Sequence, residues 1–172
     1  FLDSLIIASL MFPVFSTIIP VFQMLSAINV TDSPVGVILP QIAGNLSFAM
    51  VILMGYIRGL PVDLEESAFL EGCNVFQVFY KVILPVCRPA FATVAIFSFL
   101  WSYNDLFTQL FFLRSPEKWT ITRFLNEVSS QFGTDYGMMC AVVTLIFVPV
   151  MIVYVFLQKN IIKGLTAGAI KG

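Results

Sequence analysis

EESAFLEGCNVFQVFYKVILP, residues 65–85, is an acidic island in an otherwise apolar chain. From Gly59 to Tyr80 there are four acids and no base. Pro61 suits the first turn of a helix, and Asp63, Glu65 and Glu66 complement the positive N-terminal end of its dipole. Gly72 reads as the stop of that helix. Beyond it, Val75 or Phe76, Phe79 and Val82 or Ile83 share one helical stripe, which ends at Pro85 where the chain must turn. The stretch therefore predicts two short helices joined by a turn. Ser67, Ala68, Gly72 and Cys73 make its middle thin, so another protein surface can approach the backbone. Its charge is the opposite of what anionic lipid attracts and favours a protein groove as partner; composition alone leaves a solvated loop as the alternative.

The island is set in a chain made for a bilayer. Of 172 residues, 59% are hydrophobic and 11% charged, and mean hydropathy is +0.94, far outside the range of soluble domains. A net charge of -1 offers nothing to nucleic acid. There is no histidine, and Cys73, Cys87 and Cys140 are too scattered for a thiolate metal site, so no metal, cofactor or catalytic residue is expected. The first residues carry no basic n-region and no small-residue cleavage site, so no signal peptide is read. Because the chain starts at Phe1 without Met, the expectation is an incomplete chain.

A hydrocarbon core of roughly 30 Å asks for about 20 apolar residues per helix. Four stretches qualify, at about 5–28, 35–57, 90–113 and 138–157. Pro13 and Pro20 predict a kinked first span. Gly36, Gly44, Asn45 and Ser47 suit the second span to close packing or a cavity, Asn104 and Asp105 interrupt the third, and the fourth is clean except for Pro149. Six of the nine bases (Arg58, Lys81, Arg88, Lys159, Lys163, Lys171) share one side of this arrangement. That bias places the loop 59–88 and the tail 158–172 in the cytoplasm, and puts the NVTDS turn, residues 29–33, and the segment 114–136 outside.

Polar groups at membrane depth default to functional candidates. Of Gln41, Asn45, Ser47, Asn104, Asp105 and Gln109, the set Asn45, Asn104 and Asp105, with the aromatics Phe48 and Trp101, offers amides, a carboxylate and stacking rings to a polar solute on a path through the spans. The structural alternative makes Asn45 and Ser47 helix-to-helix bonds and Trp101 an interfacial belt residue. In the outer segment, Trp119 precedes Ile121, Leu125, Val128 and Phe132 at helical spacing, an amphipathic helix able to rest in the interface. GYIRG (55–59) and GLTAG (164–168) have small-xxx-small spacing but lie at or beyond the membrane edge, and the sequons at Asn29 and Asn45 read as chance matches. One intramembrane acid without histidine disfavours an intramembrane enzyme. An ion-coupled secondary transporter would commonly carry internal repeats, which are not seen here.

Glu66-Ser67-Ala68, then Gly72 four positions after Ala68, then Val82, Leu84 and Pro85 resemble the EAA loop of binding-protein-dependent ABC importers. That family's pattern is E-A-A, three residues, Gly, nine residues, I-x-L-P; Ser67 and Val82 depart from it with little change in volume. WSYND (101–105) is similar to a tryptophan-asparagine-acid stretch of the same family, and QKNIIKGLTAGAIKG (158–172) is similar to the ending of maltose-type sugar permeases. The resemblance implies an all-α, multi-span transmembrane domain of the type I importer fold, corresponding to the smaller maltose-type permease, with the family's first spans preceding Phe1. It implies a bacterial cytoplasmic membrane and a cytoplasmic C-terminus. It further implies that Glu66, Ser67, Ala68, Gly72, Cys73, Leu84 and Pro85 dock on an ATP-binding cassette ATPase dimer, which hydrolyses the ATP. Thr166, Gly168 and Gly172 would contact the same ATPases. The remaining implied partners are a second, different permease chain, an extracytoplasmic solute-binding protein docking on the outer segment, and a sugar. A permease of this kind for a non-sugar solute is the alternative, and the GLTAGAIKG ending is the reason to prefer sugar.

Overall fold

The computed structural model describes residues 2–131 and 136–169, with side chains at all of these except 14, 129–131 and 159–169. All regular structure among the described residues is helical. Helix α1 (Leu2–Ala8) passes through a short 3-10 turn into α2 (Val14–Ala27). The expected kink is a sharp break, since the two halves meet at 113°. Pro13 forces the residue before it out of the helical region, and both Phe12 and Pro13 take extended backbone, while Pro20 is absorbed inside α2.

The turn from α2 into α3 (Pro34–Arg58) is built from local chemistry. Asn29 takes a left-handed φ of 55°, the amide of Val30 donates to Leu25 O at 3.1 Å, and that of Asn29 donates to Ser26 O at 3.1 Å. These two bonds close α2 with a Schellman turn, so the asparagine of the chance sequon has a turn role. Ser33 then caps α3 by accepting from the Gly36 amide at 3.2 Å, with Pro34 at the first helical position. Gly36 is obligatory for close approach, because a Cβ there would lie 2.4 Å from Val30 O.

The acidic island forms a hairpin of two arms, α4 (Asp63–Leu70) and a second arm made of α5 (Val75–Val78), a π turn at Phe79–Ile83 and α6 (Leu84–Val86). The chain bends by 64° at Cys87 into α7 (Arg88–Asn104). Asp105 divides the expected 90–113 stretch, ending α7 and capping α8 (Leu106–Phe112) by accepting from the Thr108 amide at 3.1 Å. A 3-10 turn at Pro116–Lys118 leads to α9 (Ile121–Gln131) and then to α10 (Tyr136–Ala169). Ile121, Leu125 and Val128 of the expected amphipathic stripe lie on α9, with Val128 buried; Phe132 falls outside the described residues. As far as Ala169, the glycine-rich stretch expected as a tail continues α10. Gly164 and Gly168 each cost about 1 kcal/mol relative to alanine, which lowers helix stability without stopping a helix, and no proline follows the fourth apolar stretch.

Helix α7 packs against both α3 and α10, α1 lies on α3, and α9 lies on α8 and α10. Two apolar clusters mark opposite ends of this assembly. Leu25, Val37, Phe112 and Leu113 form one, with Phe22, Val30 and Trp119 against them; Ala68, Val78, Ile83 and Cys87 form the other, with Tyr56, Leu60 and Cys73. Between them large apolar side chains point outward, among them Ile42, Leu46, Leu145 and Ile152. Such exposure suits hydrocarbon or partner helices rather than water. By length and composition two helices, Pro34–Arg58 and Tyr136–Gln158, can cross a membrane, or up to four segments if each bent pair is one span.

Candidate functional site

The hairpin is organised from its turn. The amide of Cys73 donates to Ala68 O at 3.0 Å and that of Gly72 to Phe69 O at 3.0 Å, with Gly72 at φ +85°, so α4 closes with the same Schellman geometry as α2. Asn74 and Gln77 then form a reciprocal capping box, each side chain accepting from the other's amide at 2.9 Å. Asn74-x-x-Gln77 is a readable signal for this helix start that sequence reasoning missed. Further on, the Leu84 amide donates five residues back to Phe79 O. The wider π turn comes immediately before Pro85, whose ring would crowd the carbonyl of residue 81 in a regular helix.

This geometry divides the seven expected docking residues. Glu66, Ser67, Gly72 and Pro85 lie on the surface, Cys73 and Leu84 are half-buried, and Ala68 is buried against Val78, Ile83 and Cys87. The small side chain of Ala68 thus lets the two arms of the hairpin meet. Glu66, with Asp63 and Glu65, occupies the first turn of α4 and makes no ion pair with another described residue. Beside these acids Leu70, Val75, Phe76 and Tyr80 are exposed, leaving a mixed acidic and apolar surface. Tyr56 near the end of α3 fastens the hairpin to the spans, its hydroxyl donating to Val86 O at 3.2 Å, and was not singled out in the sequence.

The expected translocation residues fall into three places. Asp105 accepts through Oδ2 from Gln41 Nε2 at 3.1 Å, while Ser102 Oγ donates to Gln41 Oε1 at 2.6 Å, so α3 is braced to the α7–α8 break. Phe48 meets Trp101 edge to face at 4.6 Å, with Phe97 completing the aromatic cluster. Asn45 and Asn104 each donate to a carbonyl four residues back on their own helix, Gln41 O and Leu100 O. Two cavities meet at Gln41 and Ser102, one of about 350 Å³ reaching Gln109, Thr120 and Thr122, the other of about 480 Å³ reaching Asn45 and Ser98. Of the expected set, Asn45 lines one of these two cavities; Ser102, Thr120 and Thr122 were missed, because single hydroxyls carry no spacing signal.

At the end of the fold opposite the hairpin, Asp32 joins the turn before α3 to the loop after α8. Its carboxylate accepts from the amides of Arg114 (2.8 Å) and Ser115 (3.0 Å), from Ser115 Oγ (2.5 Å) and from Lys118 Nζ (3.0 Å). The Ser115 hydroxyl first, then the Ser115 amide, Lys118 and the Arg114 amide, hold this carboxyl well below the usual carboxylate range. Of the expected tail contacts, Thr166 and Gly168 have backbone on α10 but no described side-chain environment, and Gly172 lies outside the described residues. Among the described residues no three His, Cys, Asp or Glu side chains come together to hold a metal ion.

Comparison with known proteins places this architecture. Residues 1–167 match the family model described as the binding-protein-dependent transport system inner membrane component. Similar proteins include a putative ABC transporter permease protein of Caldicellulosiruptor sp. (34% identical, 99% of this chain and 62% of that protein) and an arabinooligosaccharides transport system permease protein of Bacillus subtilis (34%, 98% and 59%). A diacetylchitobiose uptake system permease protein of Streptomyces coelicolor is 33% identical over 96% of this chain and 55% of its own length. The chain thus spans about three fifths of the length of the curated relatives it matches. With its all-helical type I importer domain and its match over almost every residue, the chain belongs to the family of binding-protein-dependent transport system inner membrane components.

Proposed function

We propose that the chain is the transmembrane permease subunit of an ATP-driven, binding-protein-dependent importer of oligosaccharides. The hairpin from Asp63 to Val86 carries this reading: an acidic and apolar surface, internally capped and fastened to α3 and α7, is suited to receive a push and pass it on. A partner ATPase dimer supplies the hydrolysis and grips the hairpin at Glu66, Ser67, Gly72 and Pro85. Ala68, Cys73 and Leu84 support the gripped surface from within. Closure of the dimer then moves the hairpin as a rigid body, and the cluster shared by Tyr56, Ile83 and Cys87 transmits the displacement to the spans. In this reading the chain sits in a bacterial cytoplasmic membrane beside a second permease chain. The hairpin and the end of α10 face the cytoplasm, with Thr166, Gly168 and Gly172 near the ATPases, and the outer segment presents a docking surface to a solute-binding protein.

Sugar is the preferred cargo because relatives at this identity are described as permeases for arabinooligosaccharides, diacetylchitobiose and galactooligosaccharides. The amides and hydroxyls at Gln41, Asn45, Ser98 and Ser102, with Phe48, Trp101 and Asn104 close by in the same two helices and Asp105 at the α7–α8 break, are chemically fit to line its path.

A cysteine placed at Ser67 of an otherwise cysteine-free permease in the intact transporter tests the docking. Ser67 is exposed on α4, so a crosslink to the ATPase that changes with nucleotide is the expected result. Assembly and transport without any crosslink would remove the hairpin from the coupling path.

A further inference from the structure

The two outer connections of the fold are far apart in sequence and are joined at one side chain. Asp32 occupies a left-handed φ of 56°, its own amide donates to Phe112 O at 2.9 Å, and its carboxylate collects the donors of Arg114, Ser115 and Lys118. The Lys118 ammonium also donates to Asp32 O at 2.7 Å. Every donor group comes from residues 114–118, the stretch that delivers the chain from α8 to α9. Ordered contacts continue along that route. Arg114 lies over the Phe22 ring at 5.0 Å, Trp119 packs on the outer cluster, Arg123 stacks on Trp119 at 4.3 Å, and Arg123 pairs with Glu127 at 3.1 Å. The other end of the connection is equally determined, because the Schellman turn at Asn29 and the close approach at Gly36 leave the backbone before Asp32 little freedom.

We infer that Asp32 is a positioning residue for solute-binding-protein docking: it buckles the 29–33 turn to the 114–118 loop, so that α9 is presented preformed rather than ordered on contact. The inference rests on the reading above in which the outer segment receives the solute-binding protein. Preorganisation of this kind lowers the cost of association without contributing a contact of its own. Asp32 therefore acts through the loop, and its loss weakens docking while sparing the coupling hairpin at the opposite end of the fold.

The test uses the intact transporter in lipid nanodiscs. Its ATPase rate is titrated with the purified solute-binding protein of the same importer, loaded from a mixture of arabino-, galacto- and chito-oligosaccharides. Asp32→Ala is expected to raise the half-saturating concentration of binding protein about tenfold with the maximal rate within about twofold, and Ser115→Ala to raise it less. Phe124→Asp, an exposed position on α9, reports separately on whether the outer segment docks. Amide exchange at Arg114 and Ser115 reads the buckle without any partner, and should be faster in Asp32→Ala. A normal half-saturation in Asp32→Ala with a raised one in Phe124→Asp overturns the positioning role and leaves the docking reading standing. If neither variant changes it, the docking reading falls. Unchanged amide exchange in Asp32→Ala overturns the buckle itself.

Discussion

Cys73 donates its amide to the carbonyl of Ala68 across 3.0 Å, and this bond requires the residue between the arms, Gly72, to sit at φ +85°. Open space surrounds the position, since a Cβ on Gly72 would meet nothing within 4 Å. The requirement for glycine is therefore one of backbone, not of contact. Gly72→Ala should cost the hairpin about 1 kcal/mol and Gly72→Val more, while Gly72→Asn costs least, because a left-handed φ is hard for residues with a Cβ and hardest for branched ones. Limited proteolysis of the hairpin in the assembled transporter measures this order. A Gly72→Val hairpin as resistant as wild type would return the glycine to a contact role.

The hairpin was legible in the sequence because its signals are local. The acids of the first turn, Gly72 and Pro85 each act within a few residues, and the two-armed form follows from them. The capping pair Asn74 and Gln77 is an equally local signal, and Asn74→Ala should weaken the second arm by about 1 kcal/mol. What local pattern does not reveal is which face a small residue turns. Ala68 and its exposed neighbour Ser67 look alike in the sequence, and the opposing arm decides that Ala68 is inside. Tyr56, Gln41 and Asp32 were harder still, since their partners lie 30, 64 and 83 residues away and are fixed only by the packed helices.

Tyr56 supplies the polar tie between α3 and the hairpin's second arm. Removing its hydroxyl in Tyr56→Phe keeps the ring in the apolar cluster and deletes only the 3.2 Å bond to Val86 O. The expected loss is about 1 kcal/mol, small beside the packing that remains, so insertion and assembly stay normal. Under the coupling role, transport per ATP hydrolysed should fall. Measuring uptake and hydrolysis in the same proteoliposomes separates the two, and an unchanged ratio would leave Tyr56 with a packing role alone.

Asp32 gives the corner between the 29–33 turn and the 114–118 loop a defined response to acid. Its carboxyl is held below the ordinary range, so the stabilisation is complete above that range and is lost only as pH falls below it toward the folded-state value. Lys118 and Arg114 are the cations on the facing loop. With Trp101 replaced by Phe, the fluorescence of Trp119, which packs on the cluster of Leu25, Val37, Phe112 and Leu113 beside this loop, should be flat from about pH 8 to about pH 5 and shift only below about pH 4. Asp32→Asn removes that acid step. A step near pH 6 in the parent protein would show that another group governs the corner.

Gln41, Ser102 and Asp105 can be a brace, a path, or both, and stability separates the possibilities. Gln41 spends its oxygen on the Ser102 hydroxyl and its nitrogen on the Asp105 carboxylate, so these groups are partnered inside the fold. Gln41→Leu strips both partners at once, and in a bilayer neither water nor a neighbouring amide replaces them cheaply. Interhelical bonds of this kind contribute about 1 kcal/mol each, so a melting temperature lowered by a few degrees in detergent is expected. Adding Ser102→Ala should cost less in the Gln41→Leu background than alone, because the hydroxyl has already lost its acceptor. If Gln41→Leu instead melts like the parent and transport alone is lost, the amide belongs to the path, and Asp105 is held in place by its cap on Thr108 without help from α3.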